Sequence, residues 1–214
     1  MVSKYLKALA LTLVILAVGL FTINYLDEMR ANNLANTVEE SALELQASQQ
    51  LFLYESIFPE ENICGVLLKR IELQKTNAAK VLGELETARK NSLFPDSGLL
   101  KKKFILQNLD LYLLIAKAEK ECALREVKPV LYFYPDKYYC AECASQALVL
   151  DSVVSKCSNV RVFAFPTDLD IPLIDVLAQK YGVEKYPTLV FSGVKRDSLV
   201  SEIVLKDALG CKAP

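Results

Sequence analysis

From Asp27 to Glu126 the chain is rich in Leu, Ala, Glu, Lys and Gln, glycine is rare, and proline occurs only at Pro59 and Pro95. Such a composition favours helix and confines helix breakers to two places. Three helices are expected: the first to about Ile57, the second from about Glu60 to Asn91, the third from about Gly98 to Ala123. On the second, Cys64, Leu67, Ile71, Gln74, Ala78, Val81, Leu85 and Ala88 recur at alternating steps of three and four, the spacing of a coiled-coil seam. On the third, Phe104, Asn108, Leu111, Ile115, Ala118 and Cys122 do the same, and Leu106, Leu109, Leu113 and Ala116 make a second apolar row.

Two arms of roughly 25 to 30 residues, rising ~1.5 Å per residue and joined by a short loop at Pro95, fold back on each other as an antiparallel hairpin. Cys64 begins one seam and Cys122 ends the other, so the two meet at the open end and are expected to form a structural disulfide. Closing a loop of that size stabilises by roughly 4 kcal/mol through chain entropy. The apolar stripes read as core packing and not as a cofactor site. Asn108, polar on its seam, is a candidate for setting register.

No charged residue occurs between Ala8 and Tyr25, and with Leu26 the run is just long enough to cross a hydrocarbon core as a helix. Lys4 and Lys7 precede it and Asp27 and Glu28 follow it. The positive-inside rule then leaves residues 1–7 in the cytoplasm, places the anchor at 8–26 and puts the rest outside as a single-pass cell-membrane protein. A basic start and apolar core also fit a cleaved signal peptide, but bulky Phe21, Ile23 and Tyr25 stand where a peptidase wants small residues. On the outside disulfides persist, and six cysteines make an even set whose pairing sequence by itself leaves open.

The C-terminal part changes character. A strand-like run, Val130 to Tyr134, leads through a short loop to Cys140-Ala-Glu-Cys143 and then into a helical pattern from Ala144. A thiol at a helix start is favoured as thiolate, and thiolate is the attacking species. Cys140 is thus the candidate nucleophile, and Cys143, one turn on, the candidate resolving thiol. The same pair is also compatible with half a zinc site or a plain structural disulfide. Zinc would need a second pair that the chain lacks, and with no histidine there are no His ligands or His-based triads.

The segment from about Val127 to Gly210 resembles the thioredoxin family in Lys128-Pro-Val-Leu-Tyr-Phe-Tyr134, Tyr139-Cys140-Ala-Glu-Cys143 and Lys180-Tyr-Gly-Val-Glu-Lys-Tyr-Pro-Thr-Leu-Val-Phe191. The resemblance implies a mixed central sheet flanked by helices, with Pro187 cis and opposite the Cys pair. It also implies that Tyr186 pairs its backbone with a substrate strand, and Tyr139, beside Cys140, joins Tyr186 and Pro187 as a candidate substrate contact. Carrying the family's element order to the C-terminus sets Cys157 and Cys211 at the ends of two helices on one sheet face. A second structural disulfide is implied there, the competing reading being that one of them is free or meets a partner chain. Thioredoxins carry Trp before the first Cys, Gly-Pro between the pair and a buried carboxylate below. This chain has Tyr139, Ala141-Glu142 and, on the strand, Tyr132 and Tyr134.

The expected architecture is an α/β thioredoxin-like domain at 127–214, preceded by an all-α stalk or three-helix bundle at 27–126 and one N-terminal transmembrane helix. The expected activity is protein dithiol-disulfide exchange, with no cofactor beyond the redox-active disulfide and no metal. Expected partners are extracytoplasmic protein thiols or disulfides, a membrane or soluble redox partner, and the lipid bilayer through residues 8–26. A net charge of −1 gives no electrostatic reason for nucleic acid. The competing class is a non-catalytic module whose helical region binds a partner and whose α/β domain is a scaffold.

Overall fold

The computed structural model describes residues 9, 11–25, 57, 63–91, 98–123 and 127–212. The chain divides into two units, Met1–Glu61 and Asn62–Pro214. In the first, residues 11–25 form a helix, α1, along which Leu13, Ile15, Leu20 and Phe21 are all exposed. Among the described residues no helix is long and apolar enough to cross a membrane. The expected span of 8–26 runs past the described stretch at both ends, and the first stalk helix, expected up to Ile57, lies outside the described residues but for Ile57 itself.

The second unit begins with α2 (Ile63–Asn91) and α3 (Gly98–Cys122). Leu67, Ile71, Ala78 and Val81 of α2 are buried, as are Leu111, Ile115 and Ala118 of α3, so the two seams do pack as a hairpin. Across it the Gln74 side-chain amide donates to Gln107 O (3.2 Å) and to the Gln107 side chain. Asn108, the residue expected to set register, is buried, and its amide donates within its own helix to Phe104 O (3.1 Å).

α3 presents its second face as expected except at Leu106, which is 51% exposed: Leu109 is in the core, Leu113 and Ala116 pack against it, and Ile105 and Tyr112 join them. The sheet lies on the 105-109-112 side, and a helix apolar on several faces buries whichever side its neighbour covers.

The sheet has four strands in the order β2-β1-β3-β4: β1 is Lys128–Tyr134, β2 Val160–Pro166, β3 Thr188–Phe191 and β4 Val194–Arg196. β1 pairs parallel with β2, from Lys128 opposite Val160 to Tyr134 opposite Pro166. It pairs antiparallel with β3, from Val130 opposite Phe191 to Phe133 opposite Thr188, and β3 pairs antiparallel with β4. α4 (Ala141–Lys156) connects β1 to β2, α5 (Pro172–Lys180) connects β2 to β3, and α6 (Glu202–Leu209) follows β4.

Side chains alternate across the pleat, and each face has its own core. Leu131, Phe133, Phe163, Phe165 and Val190 face α2, α3 and α5. Val130, Tyr132, Leu189 and Phe191 face α4 and α6. On the first face the Tyr112 ring packs 5.5 Å from Phe163 and 6.2 Å from Phe165. Phe133, Phe163 and Phe165 are fully buried, each worth roughly 1.5–3 kcal/mol against exposure. Residues 98–122 therefore cover a sheet face and do not stand off it as a stalk. With both faces covered, β1 is free to be apolar on successive residues.

Candidate redox site

β1, buried between two neighbours, ends at Tyr134 and delivers the loop 135–139 to the start of α4. Cys140 is the N-cap of that helix, with extended backbone (φ −129°, ψ 100°), and its Sγ accepts from Cys143 N at 3.1 Å. A backbone N–H aimed at the sulfur stabilises negative charge there, in addition to the helix dipole. Cys140 and Cys143 are joined as a disulfide, Cα atoms 5.2 Å apart. Exposure separates the two: Cys143 is 5% exposed, while Cys140 is only partly buried.

Strand register brings the second element of the site to the same sheet end. Thr188, at the start of β3, lies opposite Phe133 near the end of β1, so Tyr186-Pro187 borders the side from which the Cys loop leaves. The Tyr186-Pro187 peptide is cis. Tyr186 is 39% exposed, and its hydroxyl accepts from Thr167 Oγ1 at 2.6 Å. Tyr139 is 93% exposed and Tyr138 72%, so neither ring packs under the loop.

Tyr132 and Tyr134 occupy the strand positions where a carboxylate is lacking, and they pack with the Cys pair in one cluster. Their rings stack at 5.1 Å, and the Tyr132 hydroxyl donates to Cys143 O at 2.8 Å. Burial pushes the Tyr132 phenol up to about 12. Tyr134 is raised as well, first by burial and then by the negative charges of Asp136 and Asp168. Both phenols are therefore neutral at physiological pH and neither acts as a base toward the buried thiol.

The remaining cysteines form two further bonds: Cys64 to Cys122, with Cα atoms 5.5 Å apart, and Cys157 to Cys211, 5.1 Å apart. The first ties the opening turn of α2 to the last residue of α3. The second ties the ends of α4 and α6. Those helices are also linked by Glu202, which accepts from Ser152 Oγ (2.8 Å) and Lys156 Nζ (2.8 Å) and pairs with Lys206 Nζ (2.6 Å). Buried Gln146 brackets Val200, donating to its O (3.2 Å) and accepting from its N (2.7 Å).

Sequence reasoning missed Thr167, Asp168 and Gln146. All three act on backbone or on a single hydroxyl, which leaves no periodic trace, and the only signal was the turn-forming Pro166-Thr167-Asp168 run after a strand. Among the described residues no group of His, Cys, Asp and Glu is placed to hold a metal.

No family model and no curated protein sequence matches the chain. Among solved structures, the crystal structure of chloroplastic thioredoxin z is 17% identical, covering 44% of this chain and 86% of its own length, with a TM-score of 0.34. Thioredoxin O2 from Arabidopsis thaliana in the oxidized state is 21% identical, covering 46% and 84%, also with a TM-score of 0.34. The strand order, the helices on both faces and the Cys pair opening the helix after the central strand give residues 127–212 a thioredoxin-like α/β fold.

Proposed function

We propose that the protein is a membrane-anchored thiol-disulfide oxidoreductase that exchanges disulfides with proteins outside the cytoplasm. The observation that carries the redox reading is the Cys143 N–H aimed at Cys140 Sγ on an exposed helix start, with Cys143 buried behind it. In the reducing direction, Cys140 thiolate attacks a substrate disulfide. The substrate S–S bond breaks, and the departing thiolate takes a proton from solvent. Cys143, losing its proton to solvent, then attacks Cys140 Sγ and releases the second substrate thiol. Two electrons pass to the substrate and the pair is left as a disulfide. The oxidising direction runs the same steps backward, and a membrane or soluble dithiol-disulfide partner resets the pair in either case.

The anchor and its sidedness are supported by the uncharged run 8–25 with Lys4 and Lys7 before it and Asp27 and Glu28 after it. They are supported also by the pairing of all six cysteines, which suits an oxidising compartment. Exposed Tyr139 and Tyr186, the latter next to buried Pro187, supply an aromatic wall for an extended polypeptide at the redox end of the sheet.

The test is trapping. Cys143→Ser is expected to accumulate mixed disulfides with exported proteins, resolved on non-reducing gels, and Cys140→Ser to accumulate none. Equal trapping by both variants refutes the assigned roles. Trapping by neither, with a pair potential below about −300 mV, favours a structural disulfide in a binding module.

A further inference from the structure

We infer that Thr167 and Asp168 are positioning residues that clasp the two walls of the redox site together, an inference that rests on the redox reading above. They follow β2 directly, and each reaches a different part of the site. The Asp168 carboxylate accepts from the backbone N–H of Asp136 (2.8 Å, Oδ1) and of Lys137 (2.7 Å, Oδ2). Those two residues belong to the loop that ends at Cys140. Thr167 donates its own N–H to Tyr134 O (3.0 Å), continuing the β1–β2 ladder by one bond. Its hydroxyl donates to Tyr186 OH (2.6 Å), the residue before Pro187. One dipeptide thus holds the end of β1, the Cys140 loop and the Tyr186 side chain in a single register.

The loop is gripped from outside as well. Lys101 of α3 pairs with Asp136, and Lys137 Nζ lies 3.5 Å from Asp170 Oδ2. These contacts are side chain to side chain and partly exposed, and exposed ion pairs contribute little. The bonds to Asp168 differ in kind. They are charge-assisted, made to backbone, and two from one carboxylate, so they fix the direction of the chain and not only its proximity. Cys140 follows Lys137 by three residues, and its advantage as a nucleophile depends on its sulfur staying on the α4 N-terminus.

Charge and positioning predict opposite signs. Asp168 carries its negative charge against the loop that leads to Cys140, so deleting that charge alone favours the thiolate and speeds its alkylation. Freeing the loop lets the sulfur leave the helix start and slows it. Asp168→Asn keeps the shape, removes the charge, and replaces one acceptor by an NH2 that cannot accept from an N–H.

The experiment uses the full-length protein carrying Cys143→Ser, in which Cys140 is the one unpaired thiol, and measures its iodoacetamide alkylation rate from pH 4 to 9. The other charged or titratable groups on or against the loop are Lys101, Asp136, Lys137, Tyr138, Tyr139, Glu142, Asp170, Tyr186 and the Tyr132–Tyr134 pair, and all are kept. Asp168→Asn is expected to slow alkylation at pH 7 by about threefold, the size of a helix-terminus contribution, and to raise the midpoint of the profile. An unchanged or faster rate overturns the role of Asp168. In the wild-type background, Thr167→Val is expected to raise KM for a disulfide-bearing peptide severalfold with kcat retained, and Thr167→Ser to restore it. An unchanged KM overturns the role of Thr167. If the wild-type protein turns over no peptide, the redox reading fails, and the alkylation profile still decides whether Asp168 places Cys140.

Discussion

The Cys64–Cys122 bond closes a loop with a sequence separation of 58, and its removal is a direct measure of how much the hairpin depends on it. Loop-closure entropy for that separation gives about 4 kcal/mol. The double variant Cys64→Ala, Cys122→Ala loses this constraint from the unfolded chain. Leu67, Ile71, Ile115 and Ala118 stay buried beside the gap, so the folded state is expected to keep its shape. The compact unit starts at Asn62, next to the bond, so the protein to use is the 62–214 fragment. With a urea dependence of ~2 kcal/mol per M, the unfolding midpoint followed by far-UV circular dichroism falls by about 2 M. Hydrogen exchange reads the same loss: amides of the central strand β1, which exchange through global unfolding, lose protection by the same free energy. A midpoint shift below about 0.5 M would falsify the chain-entropy argument, since it means that the hairpin ends stay together in the unfolded ensemble.

Other outcomes are expected from single features. Gln146→Leu leaves the buried N–H and C=O of Val200 unpaired, and chemical denaturation is expected to show a loss of about 3 kcal/mol. The Glu202 carboxyl is held down to about 2 by Lys156, Lys206 and Ser152. A depressed carboxyl stabilises above its unfolded value near 4.5 and loses that contribution as pH falls toward 2, so Glu202→Gln should flatten the acid limb of stability against pH in that window. For the anchor, a reporter active only outside the cytoplasm and fused after residue 214 should be active, and should lose activity when Lys4 and Lys7 are moved to follow Leu26.

The hairpin could be read from spacing because a seam is a local pattern: Cys64, Leu67 and Ile71 on one arm and Ile115, Ala118 and Cys122 on the other recur at helical steps whatever lies around them. The outer face of α3 could only in part: Leu109, Leu113 and Ala116 are on it and Leu106 is not. Phe104 to Ala116 is apolar on several sides, so periodicity leaves the choice between Leu106 and Ile105 to the sheet, which is remote in sequence. For the same reason the boundary between helical region and α/β domain is not a boundary of packing. Tyr112 and Phe163 share a core across fifty residues of chain. In the site, Cys140 and Cys143 announce themselves by strand, loop and helix order, and Tyr186-Pro187 by resemblance. Thr167 and Asp168 do not, because a carboxylate that binds backbone N–H groups accepts any residue type on the other side. Tyr132 was visible as the residue standing where a carboxylate was missing. Its bond to Cys143 O ties β1 to the first turn of α4.

The three disulfides join cysteines that are consecutive along the chain: Cys64 with Cys122, Cys140 with Cys143, Cys157 with Cys211. No bond encloses or interleaves with another. For a chain threaded across a membrane from its N-terminal end, the order of arrival is itself a pairing rule, because each cysteine's partner is the next to emerge. Cys122 emerges before Cys140, so the first bond closes ahead of the reactive pair, and Cys157 follows that pair with its own partner 54 residues behind it. Oxidation in step with translocation yields the native set directly, and shuffling is needed if Cys64 or Cys157 waits unpaired long enough to react with the Cys140–Cys143 pair.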